Sequence, residues 1–96
     1  MTEDCDGVWI DQDGLVHRGR AWVALSDLEW RILRLLLDRL GHLVSRTDLR
    51  HAGWPGGAVE EERLTRRIAR LRRRLAPLGV RITSVRGRGY VLIVDP

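Results

Sequence analysis

The chain has 96 residues, 44% of them hydrophobic and 31% charged, with a formal net charge of +4. A chain of this length makes one small domain that buries about 60 to 65% of its unfolded surface. No apolar run approaches the roughly 18 residues of a membrane span, the acidic start Thr2-Glu3-Asp4 contradicts a secretory leader, and the single cysteine, Cys5, gives no disulfide framework, so the expected compartment is a reducing cytoplasm with no membrane contact.

Residues 1–7 are polar and are expected to form a frayed tail, which leaves 8–96 as the folded domain. Three short alternating runs follow, Val8–Asp11, Leu15–Arg18 and Ala21–Leu25, separated by Gln12-Asp13-Gly14 and Gly19-Arg20. They predict an antiparallel meander. Its apolar underside is expected to carry Trp9 and Trp22 toward the helices.

Ser26-Asp27-Leu28-Glu29 has the spacing of a capping box, in which the serine side chain and the glutamate side chain each satisfy a free backbone N–H. A helix therefore starts there, with Leu28, Ile32, Leu35, Leu36 and Leu40 at helical spacing and Gly41 placed to end it. Ser45 opens a second, shorter helix running from Arg46 to about Ala52, and Gly53-Trp54-Pro55-Gly56-Gly57 forces a loop after it.

The next helix, predicted over about 60–76, contains Arg63-Leu64-Thr65-Arg66-Arg67-Ile68-Ala69-Arg70-Leu71-Arg72-Arg73-Arg74-Leu75. At about 100° per residue Leu64, Ile68, Leu71 and Leu75 fall within roughly 60° of one another. Arg63, Arg66, Arg70, Arg73 and Arg74 occupy the opposite arc, and Arg67 and Arg72 lie on the flanks. Like charges at these spacings cost a few tenths of a kcal/mol per pair. A polyanion that neutralises them relieves the repulsion and releases its own counterions. The charge partition along the chain agrees: residues 1–62 carry seven arginines and twelve acidic residues, while residues 63–96 carry ten arginines and one acidic residue. All seventeen basic residues are arginine, whose planar fork suits phosphates and guanine edges, although a GC-rich genome also favours arginine codons.

Beyond Ala76-Pro77-Leu78-Gly79 the pattern becomes strand-like. Val80–Val85 and Tyr90–Val94 flank Arg86-Gly87-Arg88-Gly89, a hairpin with two arginines at its tip. No helix follows Gly89, so the Gly-x-Gly is not a phosphate-binding loop. His17, His42 and His51 show no metal-type spacing, and no Ser/His/Asp set or carboxylate pair suggests catalysis, so neither an enzyme, a metal nor a cofactor is expected.

In order, Ala24-Leu25-Ser26-Asp27-Leu28-Glu29-Trp30-Arg31-Ile32-Leu33, Leu43-Val44-Ser45-Arg46-Thr47-Asp48-Leu49, Trp54, Ile68-Ala69-Arg70-Leu71-Arg72 and Val85-Arg86-Gly87-Arg88-Gly89-Tyr90 resemble the winged-helix DNA-binding domain of OmpR/PhoB-type response regulators. The resemblance runs from about Val8 to Leu92. It implies an α+β winged helix-turn-helix fold: an N-terminal antiparallel sheet, three helices and a C-terminal β-hairpin wing. It further implies sequence-specific double-stranded DNA binding for transcriptional regulation, with the third helix in the major groove and wing 86–89 at the minor groove.

By position, Arg63, Arg66, Arg70 and Arg86 are expected at the grooves, with Arg70 meeting a base. Arg67, Arg72, Arg73, Arg74, Arg88 and Trp54 are expected at phosphates, and the Trp54 loop can instead face RNA polymerase. Engagement of five to eight phosphates predicts a slope of log K against log salt of about −4 to −7. The small contact area of a single domain favours dimeric or tandem binding. Thr65 stands where the family usually has aspartate and Glu62 where a basic residue is common, so the glutamates repel phosphates at one edge of the groove. The chain lacks the phosphoacceptor receiver, as expected of a free-standing regulator or an excised effector domain. The alternative function is a winged helix reused as a protein-protein interaction module, its acidic half docking one partner and its arginine helix another.

Overall fold

The computed structural model describes residues 7–57 and 59–96. The tail expected at the N-terminus falls, apart from Gly7, outside the described residues, as does Cys5. Strands β1 (Val8–Ile10), β2 (Leu15–Arg18) and β3 (Ala21–Ala24) form the antiparallel meander in the order β1-β2-β3. Then come helix α1 (Asp27–Asp38), a two-residue strand β4 (Val44–Ser45), helix α2 (Arg46–Gly53) and helix α3 (Glu61–Leu75). A 3-10 turn at Ala76–Leu78 leads into β5 (Val80–Val85) and β6 (Gly89–Val94). This is the winged helix-turn-helix architecture.

The meander faces the helices with Val8, Ile10 and Val16, all buried. Strand alternation then turns their neighbours outward. Trp9 pairs with His17, and His17 with Trp22, so these three share the outer face. The expectation that both tryptophans line the underside is therefore corrected: Trp9 is 37% and Trp22 59% exposed. The Trp9 ring stacks on His17 at 4.0 Å, and His17 Nε2 lies 2.7 Å from Asp11 Oδ2. That hydrogen bond, with the Leu15 N–H, holds the Asp11 carboxyl below its ordinary pKa.

Helix α1 starts at the expected capping box. The Glu29 N–H donates to Ser26 Oγ at 3.2 Å, and the Ser26 N–H donates to Glu29 Oε1 at 3.0 Å. Its buried stripe is rotated from the predicted one, however, and comprises Glu29, Ile32, Leu33, Leu36 and Leu37, with Leu28, Leu35 and Leu40 at its margins. Positions 32–37 are apolar except for Arg34, so several registers fit the sequence, and the buried glutamate concealed the correct one. Gly41 has the left-handed φ of +80° but sits two residues beyond the cap at Arg39, where its N–H donates to the Leu92 carbonyl at 3.0 Å.

The second helix begins as predicted, the Asp48 N–H donating to Ser45 Oγ at 3.1 Å. Its far end is closed by a residue of α1, since Arg31 donates to the carbonyls of Ala52 and Gly53 at 3.1 and 2.9 Å. Those carbonyls are among the groups a helix C-terminus leaves unpaired.

The wing is a three-stranded sheet in the order β4-β6-β5, not an isolated hairpin. Gly89 explains how β4 fits. It pairs with Ser45, and a Cβ at position 89 would collide with the Val44 carbonyl, so only glycine lets the two backbones approach. At the opposite end Arg18 donates to the carbonyls of Leu78, at 2.8 Å, and Asp95, which fastens the meander to the base of the wing.

Candidate nucleic-acid interface

Helix α3 takes its orientation from Leu64, Ile68, Leu71 and Leu75, each with no exposed surface. Burying each such side chain stabilises by about 1.5 to 3 kcal/mol, so together they hold the helix against α2 and β5 far more firmly than the repulsion among its arginines opposes. The N-terminus carries Glu60, Glu61 and Glu62 and the last turn Arg72, Arg73 and Arg74, both favourable to the helix dipole.

The arginines of α3 divide into two groups. Arg63, Arg66, Arg70 and Arg73 are exposed and Arg67 is half-buried, and among the described residues none of their side chains has an ion-pair or hydrogen-bond partner. Arg72 and Arg74 are engaged. Arg72 donates to the Ile82 carbonyl and to Ser84 Oγ, both at 2.7 Å, and so ties α3 to β5 below the hairpin tip. Arg74 donates to the Ala24 carbonyl at 3.2 Å and sits 3.4 Å from Glu29 Oε2. Glu29 is 1% exposed, and its Oε2 has no hydrogen-bond partner, so Arg74 supplies its nearest counter-charge. The sequence assigned both residues to phosphates; each also has a structural partner, which helical spacing within α3 could not reveal.

At the wing, Arg86 and Arg88 are exposed on the turn that Gly87, with φ +74°, allows. Trp54 is half-buried and packs against the core, and its N–H closes the end of α2 on the Arg50 carbonyl at 2.8 Å. The three glutamates are not equivalent. Glu61 lies between α2 and α3, 3.1 Å from Arg50 Nη1 and 3.8 Å from Arg46 Nη1, and Arg46 in turn lies over the Tyr90 ring. The side chains of Glu60 and Glu62 are exposed with no partner among the described residues. The role of Arg46 and Arg50 in neutralising Glu61 went unseen in the sequence because it crosses from one helix to the next.

The result is a cationic outer face on α3, with a second cationic point at the tip of a wing that the same helix holds in place. The family described as "Transcriptional regulatory protein, C terminal" matches residues 19–92. The chain belongs to that family.

It is an OmpR/PhoB-type winged-helix effector domain, a DNA-binding module of transcriptional regulation. Among curated proteins it is similar to the transcriptional regulator HilA of Salmonella typhimurium, with 33% identity over 98 residues. That match covers 95% of this chain but 18% of HilA, so the chain spans under a fifth of that relative's length. Among solved structures, the C-terminal domain of the nisin resistance regulator NsrR matches with TM-score 0.78 and 33% identity, covering 94% of each chain. The Klebsiella pneumoniae RstA DNA-binding domain, solved in complex with the RstA box, matches with TM-score 0.78 and 28% identity, covering 96% of each chain. Among the described residues no cluster of His, Cys, Asp or Glu could hold a metal, and no helix is long and apolar enough to cross a membrane.

Proposed function

We propose that this domain controls transcription by binding double-stranded DNA sequence-specifically, with α3 in the major groove and wing residues 86–89 at the adjacent minor groove. Arg66 and Arg70 read base edges, Arg70 donating two hydrogen bonds to a guanine, while Arg63 lies at the groove and Arg86 enters the minor groove. Arg67, Arg73 and Arg88 meet phosphates, which fix register and supply affinity. The observation that carries this reading is that the side chains of Arg63, Arg66, Arg67, Arg70 and Arg73 have no partner among the described residues, on a helix whose opposite face is wholly buried. Such a surface is electrostatically unfavourable until a polyanion covers it. The RstA domain, which is bound to its own DNA box, supports the same use of the fold here.

Arg70→Ala is expected to weaken binding to the selected duplex by about 1 to 3 kcal/mol and to relax preference at one base pair. Fluorescence anisotropy with specific and random duplexes checks this; equal losses on both would remove Arg70 from base reading. One such module buries only about 600 to 1,000 Å² of protein surface, so two copies occupy adjacent half-sites, and the loop after α2 that carries Trp54 is left to contact RNA polymerase. Mass measurement of the complex tests the pairing. A 2:1 protein-to-duplex ratio is expected at the selected site, and a strict 1:1 complex of nanomolar affinity contradicts it.

A further inference from the structure

On the basis of that reading, we propose that Glu62 is a specificity-determining residue of the recognition helix, selecting a cytosine amino group at one position of the target and weakening binding to every other sequence. Successive 100° steps place Glu62 beside Arg66, Ala69, Arg70 and Arg73 on the outward arc of α3, with the aliphatic anchors on the other side. Glu61, one residue earlier, is turned toward α2 and neutralised by Arg46 and Arg50. Glu62 is exposed, lacks a partner among the described residues, and is the one carboxylate on the outward arc of α3. It also lies in the first turn, the part of a recognition helix whose side chains reach base edges.

A carboxylate in that position discriminates by what it rejects. It accepts hydrogen bonds only, and in the major groove cytosine N4 and adenine N6 are the donors, whereas guanine O6 and N7 and thymine O4 are acceptors that repel it. Cytosine presents its amino group alone; adenine presents N7 beside N6, which leaves an acceptor facing the carboxylate. Arginines at 66 and 70 favour guanine in the same way. The outward face thus specifies a G·C-containing half-site in which the cytosine contacted by Glu62 lies about two base pairs from the guanine contacted by Arg66, the two side chains being about 6 Å apart along the helix axis.

The test compares wild type, Glu62→Gln and Glu62→Ala by selection from random duplex DNA and by anisotropy on the selected and a scrambled duplex. The Glu62 side chain is exposed and makes no bond among the described residues, so the replacements leave the fold intact. Wild type is expected to discriminate by about tenfold or more at one cytosine. Glu62→Ala is expected to bind scrambled DNA more tightly and to lose preference at that position alone, and Glu62→Gln to shift it toward adenine. Uniformly tighter binding with unchanged base preferences would overturn the inference, reducing Glu62 to a phosphate-repelling charge while the duplex reading stands. Failure of wild type to bind any duplex at low salt would instead defeat the duplex reading, and this inference with it.

Discussion

Arg74 shows how a side chain counted by its charge acquires a different role from its surroundings. Its guanidinium neutralises Glu29, whose carboxylate is buried within the start of α1 and spends its other oxygen on the capping box. Removing the arginine leaves Oε2 without a counter-charge, and an unsatisfied buried group costs about 1 to 3 kcal/mol. Arg74→Ala is therefore expected to lower the free energy of unfolding by that amount in urea titration while leaving base preference unchanged. An unaltered unfolding midpoint would return Arg74 to the phosphate-binding set. Residue identity alone could not separate Arg74 from Arg73: both are exposed arginines in the last turn of α3, and the positions of Glu29 and the Ala24 carbonyl distinguish them.

At the scale of elements, local chemistry was legible and long-range pairing was not. Ser26 and Ser45 announce their helices because capping depends on residues three apart in sequence. The spacing of Leu64, Ile68, Leu71 and Leu75 fixes the face of α3 because no other large apolar residue occurs in it and seven of the eleven remaining positions are arginine. In α1 the same rule misplaced the stripe, since apolar residues surround Arg34 and a buried glutamate begins the true face. Strand β4 escaped notice because two residues carry no periodicity. Its existence depends on β6, more than forty residues away in sequence, and on the missing side chain of Gly89. Gly89→Ala is expected to push β4 from β6 and to destabilise by about 1 to 3 kcal/mol, seen as a lowered Tm and faster amide exchange at Tyr90. Exchange equal to wild type at Tyr90 would mean that the backbone contact is not what selects glycine there.

The whole molecule separates its tasks by charge. The acid-rich first 62 residues supply the meander, α1, β4, α2 and the start of α3, while the arginine-rich remainder supplies the rest of α3, β5 and β6; Glu29 and Glu61 are consumed in pairs with Arg74 and Arg50 that hold α3 against the preceding elements. The outward tryptophans at positions 9 and 22 were misjudged because composition assigns tryptophan to the interior, whereas the smaller Val8, Ile10 and Val16 already fill the inner face of the meander. On the proposed reading Arg66 and Arg70 lie on base edges and Arg72 and Arg74 are bonded internally, which leaves Arg67, Arg73 and Arg88 at phosphates and the groove residues Arg63 and Arg86 to neutralise phosphate charge beside them. The most direct measurement is the duplex affinity as a function of salt concentration. Five neutralised phosphates predict a slope of log K against log salt of about −4 to −5; an affinity that does not change with salt would contradict the account.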